Sequence, residues 1–391
     1  MNAEIAAKRK ILHIIHGFGP GGVETWLLAT VKYLRLHPEL NFQFDFFLTG
    51  GIPGIYDEEI KSYGSEIFYS RYSNVSIRSF RKKFREVLRN NNYIAVHDHQ
   101  DFIAGWHFLL ADGALPDIRI VHLHNPYNFV HNYVVNPLRW FSFKMGRKLM
   151  AHYATKITGT SDAVMDEYSY NKGIFKRKRT YPAYCGFDTN KFIFKSDAKL
   201  KICREMNWDG SVCIALFVGR IGLQHYDTAA NQKNPEFALG VARQLVRANK
   251  NWRFLFVGFK GETGGKMENE LRKEHLDDRI KFMGIRHDIP EIMSASDVFV
   301  FPSLWEGLGM VSVEAQCSGL RVVMSATVPN EAIICRDLVT IKNIDDGTAA
   351  WADTIAQLDC NYDRTKYAAE IGQSPFSIEN SVRRLIGLYE S

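Results

Sequence analysis

The sequence predicts an α/β protein made of two Rossmann-like domains with parallel sheets. Short apolar runs rich in Ile, Val and Phe alternate with helical patterns, the signature of βαβ units. The alternation begins afresh at Cys213, and 391 residues exceed one ordinary core. A chain of that length suits two domains of roughly 150–200 residues.

In the first half, strands are expected at 11–16, 42–48, 93–98, 118–123 and 156–160. The second series begins with Cys213 to Gly219 and continues at 253–257, 280–283, 298–302 and 321–325. Between them Phe187 to Gly210 is polar, with Asp188, Asn190 and Asp197, and reads as the linker. The domains are set at 1–190 and 191–376. Ser374-Pro375-Phe376 breaks a helix, and Ser377 with Asn380 is an N-cap signal for another running to Tyr389.

A hydrophobic content of 46% with 24% charged residues is ordinary for a soluble globular protein. No run approaches the roughly 18 apolar residues of a membrane span. Met1 to Lys10 is charged and leads straight into Ile11-Leu12-His13-Ile14-Ile15, without the apolar core of a secretory signal. The expected location is therefore cytoplasmic. Cys185, Cys203, Cys213, Cys317, Cys335 and Cys360 form no C-x-x-C pair and read as free thiols.

Charge is uneven. Residues 1–190 carry 24 Lys/Arg against 17 Asp/Glu, and the remainder 25 against 26. The excess lies in Arg81-Lys82-Lys83, in Lys144 with Arg147-Lys148, and in Lys176-Arg177-Lys178-Arg179. These are either solvated faces or a basic surface for an anionic partner, such as a bilayer or a lipid phosphate. No recognition motif accompanies the charge, which argues against nucleic acid.

Four segments could carry chemistry. His16-Gly-Phe-Gly-Pro-Gly-Gly-Val-Glu24 joins the first strand to a helix starting near Gly22. Its glycines let backbone approach an anion at the helix start. Gly17, Gly19 and Gly22 also satisfy the dinucleotide fingerprint. The only candidate for the ribose-binding acid that fingerprint needs is Asp45, inside a strand. A tight turn is the plain alternative. His97, His99, His122 and His124 cluster at strand ends, where open α/β sheets bind ligands. Structural packing, a metal and substrate contact all stay open for them. Arg220 ends a strand, and Lys233 precedes a helix opened by Pro235. A guanidinium fork and an ammonium there suit a diphosphate.

The strongest segment runs from Phe301 to Gly319 and carries Glu306 and Glu314. A wholly helical stretch would part these carboxylates by roughly 12 Å. A loop over Glu306, Gly307, Leu308 and Gly309 instead folds Glu306 back over the helix start. Two acceptors so staged can hold hydroxyls on two parts of one ligand. Unrelated glutamates, or the paired acids of glycoside hydrolysis, are the alternatives.

On these residues the sequence resembles the GT4 glycosyltransferases of the GT-B fold, in the branch building capsular, exopolysaccharide or lipopolysaccharide chains. Glu306 and Glu314 match the family's E-x7-E motif, and Gly21-Gly22-Val23-Glu24 its glycine loop. Arg119 to Asn125 looks like the segment with the active-site histidine, aligned best with His124 and next with His122. Arg220 and Lys233 match the diphosphate pair, although the insertion Gly222 to Asn231, with His225 and Tyr226, lies between them. Gly284-Ile285-Arg286 with Asp288 and Ser296-Asp297 match the segment leading to the donor base.

The resemblance implies two domains facing across a cleft, with acceptor on 1–190 and donor on 191–376. The helix 377–391 would return onto the first domain. It implies a retaining transferase moving a sugar from a nucleotide-diphosphate donor, a UDP-sugar favoured, to a hydroxyl of a glycan or lipid-linked acceptor. Catalysis would rest on His124, Glu306, Arg220 and Lys233. Gly21, Gly22, Arg220, Lys233, Gly284, Ile285, Arg286, Glu306, Gly307, Leu308, Gly309 and Glu314 would bind donor, and His122 and Asn125 lie acceptor-side. No cofactor and no metal are expected, and the basic half would rest on the inner membrane leaflet. A nucleotide-sugar epimerase and a dinucleotide-dependent oxidoreductase are the rival classes.

Overall fold

A computed structural model describes residues 7–19, 21–127, 130, 134, 136–222 and 231–390. The chain divides into two compact units, Met1–Phe187 with Pro375–Ser391, and Asp188–Ser374. His225 and Tyr226, singled out within the insertion, lie outside the described residues.

Unit 1 holds β1 (Arg9–Ile15), β2 (Phe42–Leu48), β3 (Ile67–Tyr69), β4 (Ala95–Asp98), β5 (Ile118–Leu123) and β6 (Lys156–Gly159). They form one parallel sheet in the order β3-β2-β1-β4-β5-β6. Unit 2 holds β7 (Cys213–Val218), β8 (Trp252–Val257), β9 (Ile280–Gly284), β10 (Val298–Phe301), β11 (Arg321–Ser325) and β12 (Val339–Lys342). Its parallel order is β12-β11-β10-β7-β8-β9. Counted from each unit's own first strand, both are the doubly wound 3-2-1-4-5-6 order. The order reverses between β1 and β4 and between β7 and β10, and a crevice at the strands' carboxyl ends opens at such a point.

Helix amphipathicity fixes which faces pack. In Ile77–Asn90, Phe80, Phe84, Val87 and Leu88 are buried at helical spacing. Arg81 and Lys82 of the first basic cluster lie exposed on its other face. Arg179 is paired with Asp162 and Asp166, and Arg147 donates to the Tyr168 carbonyl, so both are committed within the unit. Core of unit 1 is rich in aromatic rings, among them Phe47, Phe80, Phe84 and Phe108. In unit 2, Phe217, Phe254, Phe256 and Trp351 anchor the core.

The segment 187–210, read as the linker, begins where the two units divide and is itself structured. It contains a 3-10 turn, Thr189–Phe192, and a helix, Ala198–Met206, that buries Ala198, Ile202 and Cys203. Lys199 reaches Asp297 at 2.8 Å, tying this helix into unit 2. Polarity here marks a surface helix rather than a free connection.

The helix Ile378–Glu390 packs within unit 1. Asn380 N–H donates to Ser377 Oγ at 3.3 Å, the side-chain cap the sequence signals. Trp26 Nε1 donates to Ser381 Oγ at 2.9 Å, and that hydroxyl donates to the Tyr184 carbonyl at 2.7 Å. Gly186 lies so close that an added Cβ would meet Ser381 Cβ at 2.3 Å. No helix among the described residues is long and apolar enough to cross a membrane.

Candidate active site

In unit 2 the parallel strands bring their carboxyl ends to one edge. Gly219 and Arg220 follow β7 there, and the loop from Pro302 to Gly309 follows β10. Asn231 staples the returning chain to this edge: its Nδ2 donates to the Arg220 carbonyl at 3.1 Å and to that of Ile221 at 3.0 Å. Leu304 N–H donates to the Gln232 carbonyl at 2.8 Å, and Gln232 Nε2 to the Trp305 carbonyl at 2.9 Å. The residue after Gln232 is thus fixed from both sides. Lys233 Nζ reaches Glu306 Oε1 at 2.6 Å, and Gln232 Nε2 meets Glu306 Oε2 at 3.2 Å. The insertion leaves Lys233 at the helix Pro235–Ala248, beside the strand-end loops.

Glycines set the backbone approach. At Gly258, φ is +138° and an added Cβ would meet the Gly219 carbonyl oxygen at 2.0 Å. Gly309 takes φ +90° as the cap of the helix Met310–Cys317, a conformation L side chains rarely adopt. Glu314 lies within that helix, and its carboxyl makes no hydrogen bond among the described residues. Burial pushes its pKa up to about 7, against a smaller downward pull from the Lys233 ammonium. Part of the side chain stays accessible.

Gly284 ends β9 at φ +69°, and Ile285 is exposed. The Arg286 guanidinium is committed to Asp288 at 2.7 Å and Glu205 at 2.6 Å. That leaves the backbone of 284–286, rather than the Arg286 side chain, for a ligand.

In unit 1, Gly17, Gly19 and Gly22 have open space where a side chain would stand. The Glu24 carboxylate folds over Gly21, where an added Cβ would meet Oε2 at 2.2 Å. Asp45 is fully buried and accepts from Gln43, from Glu66 N–H and from Tyr93 Oη, at 2.9, 2.9 and 3.0 Å. It is a structural acceptor, leaving the dinucleotide fingerprint without its ribose-binding acid.

The histidines do converge, and His13 of β1 joins them. Near-parallel rings stack at centroid distances of 4.4 Å for His97–His99 and 4.1 Å for His122–His124. His122 is fully buried beneath Trp26, at 5.6 Å between centroids, which removes it from the acceptor side where the resemblance puts it. His124 is partly accessible, and Asp101 holds its backbone N–H at 2.9 Å and Asn125 Nδ2 at 2.8 Å. Burial, eased by these hydrogen bonds, raises the Asp101 pKa to about 6. Nothing in the sequence singles out Asp101, because its partners belong to the next strand end. Two groups, His13/His97/His99 and His99/His122/His124, bring ring nitrogens within 4.8 Å. The facing nitrogens of His13, His99 and His124 are spaced at 2.9 Å, the distance of a hydrogen bond rather than of ligands around an ion.

Two doubly wound units with this strand-end apparatus define a GT-B glycosyltransferase. The sequence model described as Glycosyltransferase Family 4 matches residues 20–191, and that described as Glycosyl transferases group 1 matches 213–361. The chain belongs to the GT4 glycosyltransferases. It is 28% identical to the putative glycosyltransferase EpsF of Bacillus subtilis, over 90% of this chain and 88% of that protein. It is 26% identical to the capsular polysaccharide biosynthesis glycosyltransferase CapH of Staphylococcus aureus, over 98% and 99%. Among solved structures, Anabaena Alr3699/HepE in complex with UDP and glucose superposes with a TM-score of 0.73, at 17% identity, over 98% and 100% of the two chains.

Proposed function

We propose that unit 2 binds a nucleotide-diphosphate sugar, a UDP-sugar, and that its sugar passes to a hydroxyl of a glycan or lipid-linked acceptor held by unit 1. The product belongs to a surface polysaccharide. The observation that carries this reading is the Lys233–Glu306 pair on adjoining strand-end loops, with Arg220 after the neighbouring strand. A cation for the diphosphate and an acceptor for sugar hydroxyls stand side by side.

In the reaction the acceptor oxygen bonds to the anomeric carbon as the carbon–phosphate-oxygen bond breaks. The hydroxyl proton passes to the departing phosphate on the same face, so anomeric configuration is retained. Arg220, Lys233 and N–H groups at the Gly309 helix start stabilise the growing negative charge, the electrostatic task that often dominates catalysis. Glu306 holds sugar hydroxyls, Glu314 those of the ribose, and the backbone of 284–286 meets the base. His124 hydrogen-bonds a substrate oxygen. With two cations on the leaving group, transfer runs without a metal.

Exposed Arg81, Lys82, Lys176 and Arg177 support contact of unit 1 with an anionic membrane surface that carries the acceptor. A heat-stability screen of nucleotide sugars tests the donor, since bound ligand raises apparent stability by mass action. Stabilisation by UDP-sugars, and acceptor-dependent release of UDP with an unchanged anomer, are expected. Donor turnover in the absence of any acceptor would favour the epimerase instead.

A further inference from the structure

We infer that His97, Tyr389, His13 and His99 form a hydrogen-bonded relay that holds His124 in its Nδ1–H tautomer, making its outward nitrogen a donor. The inference rests on the reading of His124 as a substrate-contacting group. The four residues behind it are positioning residues.

Tyr389 belongs to the helix Ile378–Glu390, and the imidazoles come from β1, from β4 and from the ends of β4 and β5. His97 Nδ1 lies 2.7 Å from Tyr389 Oη, and that oxygen lies 3.4 Å from His13 Nε2. His13 Nδ1 is 2.9 Å from His99 Nε2, and His99 Nδ1 is 2.9 Å from His124 Nε2. Burial holds His13 and His124 at about 3, and His97 and His99 well below the ordinary histidine range. All four are therefore neutral at neutral pH, with one N–H each.

In a line of neutral imidazoles every proton points the same way, and the inner end decides which. His97 Nε2 is buried and has no hydrogen-bond partner among the described residues. An orphaned buried N–H is rarer in proteins than an under-used acceptor. The His97 proton therefore sits on Nδ1 and is donated to Tyr389 Oη. That frees the phenol hydrogen for His13 Nε2, so His13 carries its proton on Nδ1 and gives it to His99 Nε2. His99 in turn donates from Nδ1 to His124 Nε2. His124 is left with its proton on Nδ1, which makes no hydrogen bond among the described residues. The state of one ring nitrogen is set by the bond the other makes, here across three strands and a helix.

Long-range ¹H–¹⁵N spectra of ¹⁵N-histidine-labelled full-length protein at neutral pH read the tautomers directly, with signals assigned by single His→Asn variants. Nδ1–H is expected at His13, His99 and His124. A wild-type His124 protonated on Nε2 overturns the relay, and assigning that signal needs only His124→Asn, at a partly accessible position, to fold. Tyr389→Phe keeps the ring but deletes the hydroxyl, so an Nε2–H population is expected at His124. Its kcat should fall by about fivefold with KM unchanged. Unchanged tautomers in Tyr389→Phe overturn the relay too. Nδ1–H tautomers that respond to Tyr389→Phe, beside full transfer by His124→Ala, would uphold the relay and reject only the substrate contact.

Discussion

Lys233 Nζ lies 2.6 Å from Glu306 Oε1, an ion pair joining two strand-end loops of unit 2 with both side chains largely buried. Each group holds the other in place. A bound donor would have to divide them, with diphosphate taking the ammonium and sugar hydroxyls taking the carboxylate. Breaking one member of such a pair strands the other charge.

Glu306→Gln should therefore uncouple binding from transfer. The neutral amide no longer competes for Lys233, so nucleoside-diphosphate affinity should hold or rise. Transfer should fall at least about tenfold, a barrier increase of roughly 1.4 kcal/mol. Calorimetric titration beside a transfer assay reads both, and transfer at the parental rate would remove Glu306 from the site.

Arg220→Ala and Lys233→Ala should each weaken nucleoside-diphosphate binding and slow turnover, because each removes a charge that the proposed reaction sets on the leaving group. Asn231 and Gln232 fix the backbone beside Lys233, so the two losses should be comparable. Unchanged affinity in both variants would refute the diphosphate site.

Glu314 should make nucleotide binding depend on pH. Its carboxyl titrates at about 7, and its protonated form is the poorer hydroxyl acceptor. Affinity should drop as pH falls through that value, and Glu314→Gln should abolish the dependence while binding more weakly throughout. Stability runs the other way. The raised pKa contributes stability that is complete below the ordinary 4.5 and lost as pH rises through about 7. Thermal melts of wild type and Glu314→Gln across that window test the sign, and parallel curves would contradict it.

Activity should survive exhaustive EDTA treatment. Loss of activity that Mg²⁺ or Mn²⁺ restores would show that Arg220 and Lys233 do not suffice for the leaving group.

Gly258→Ala should destabilise unit 2 by about 2 kcal/mol, since the new methyl meets the Gly219 carbonyl and the φ is +138°. A melting temperature within a degree of the parent would show that the strand ends can separate.

Ten of the twelve strands were legible, most of them as runs of Ile, Val and Phe between turn residues, and the edge strands β6 and β9 are among the ten. The two missed strands, Ile67–Tyr69 and Val339–Lys342, lie at the sheet edges, are short, and are only partly buried. Ile67-Phe68-Tyr69 is too short to stand out as a run, and Thr340 and Lys342 interrupt the apolar residues of Val339–Lys342. Glu306, Lys233 and Gly309 stood out because a loop and a helix start impose residue types locally. Asp101, Tyr389 and His13 did not, because their roles depend on partners distant in sequence. Burial of His122 was equally hidden, since its alternation with His124 is the same whether Trp26 covers it or not.

Because Pro375–Ser391 belongs with Met1–Phe187, the two units differ in when they can be completed. Unit 2 is a continuous stretch and can assemble as soon as it leaves the ribosome. The first unit, although made earlier, waits for a helix synthesised after all of its neighbour. Until then Trp26 has no Ser381 to bond and His97 has no Tyr389. Domains ordinarily mature from the amino end during synthesis. Here the second to be made is the first that can finish, and the nascent amino-terminal half is the part exposed to chaperones and proteases.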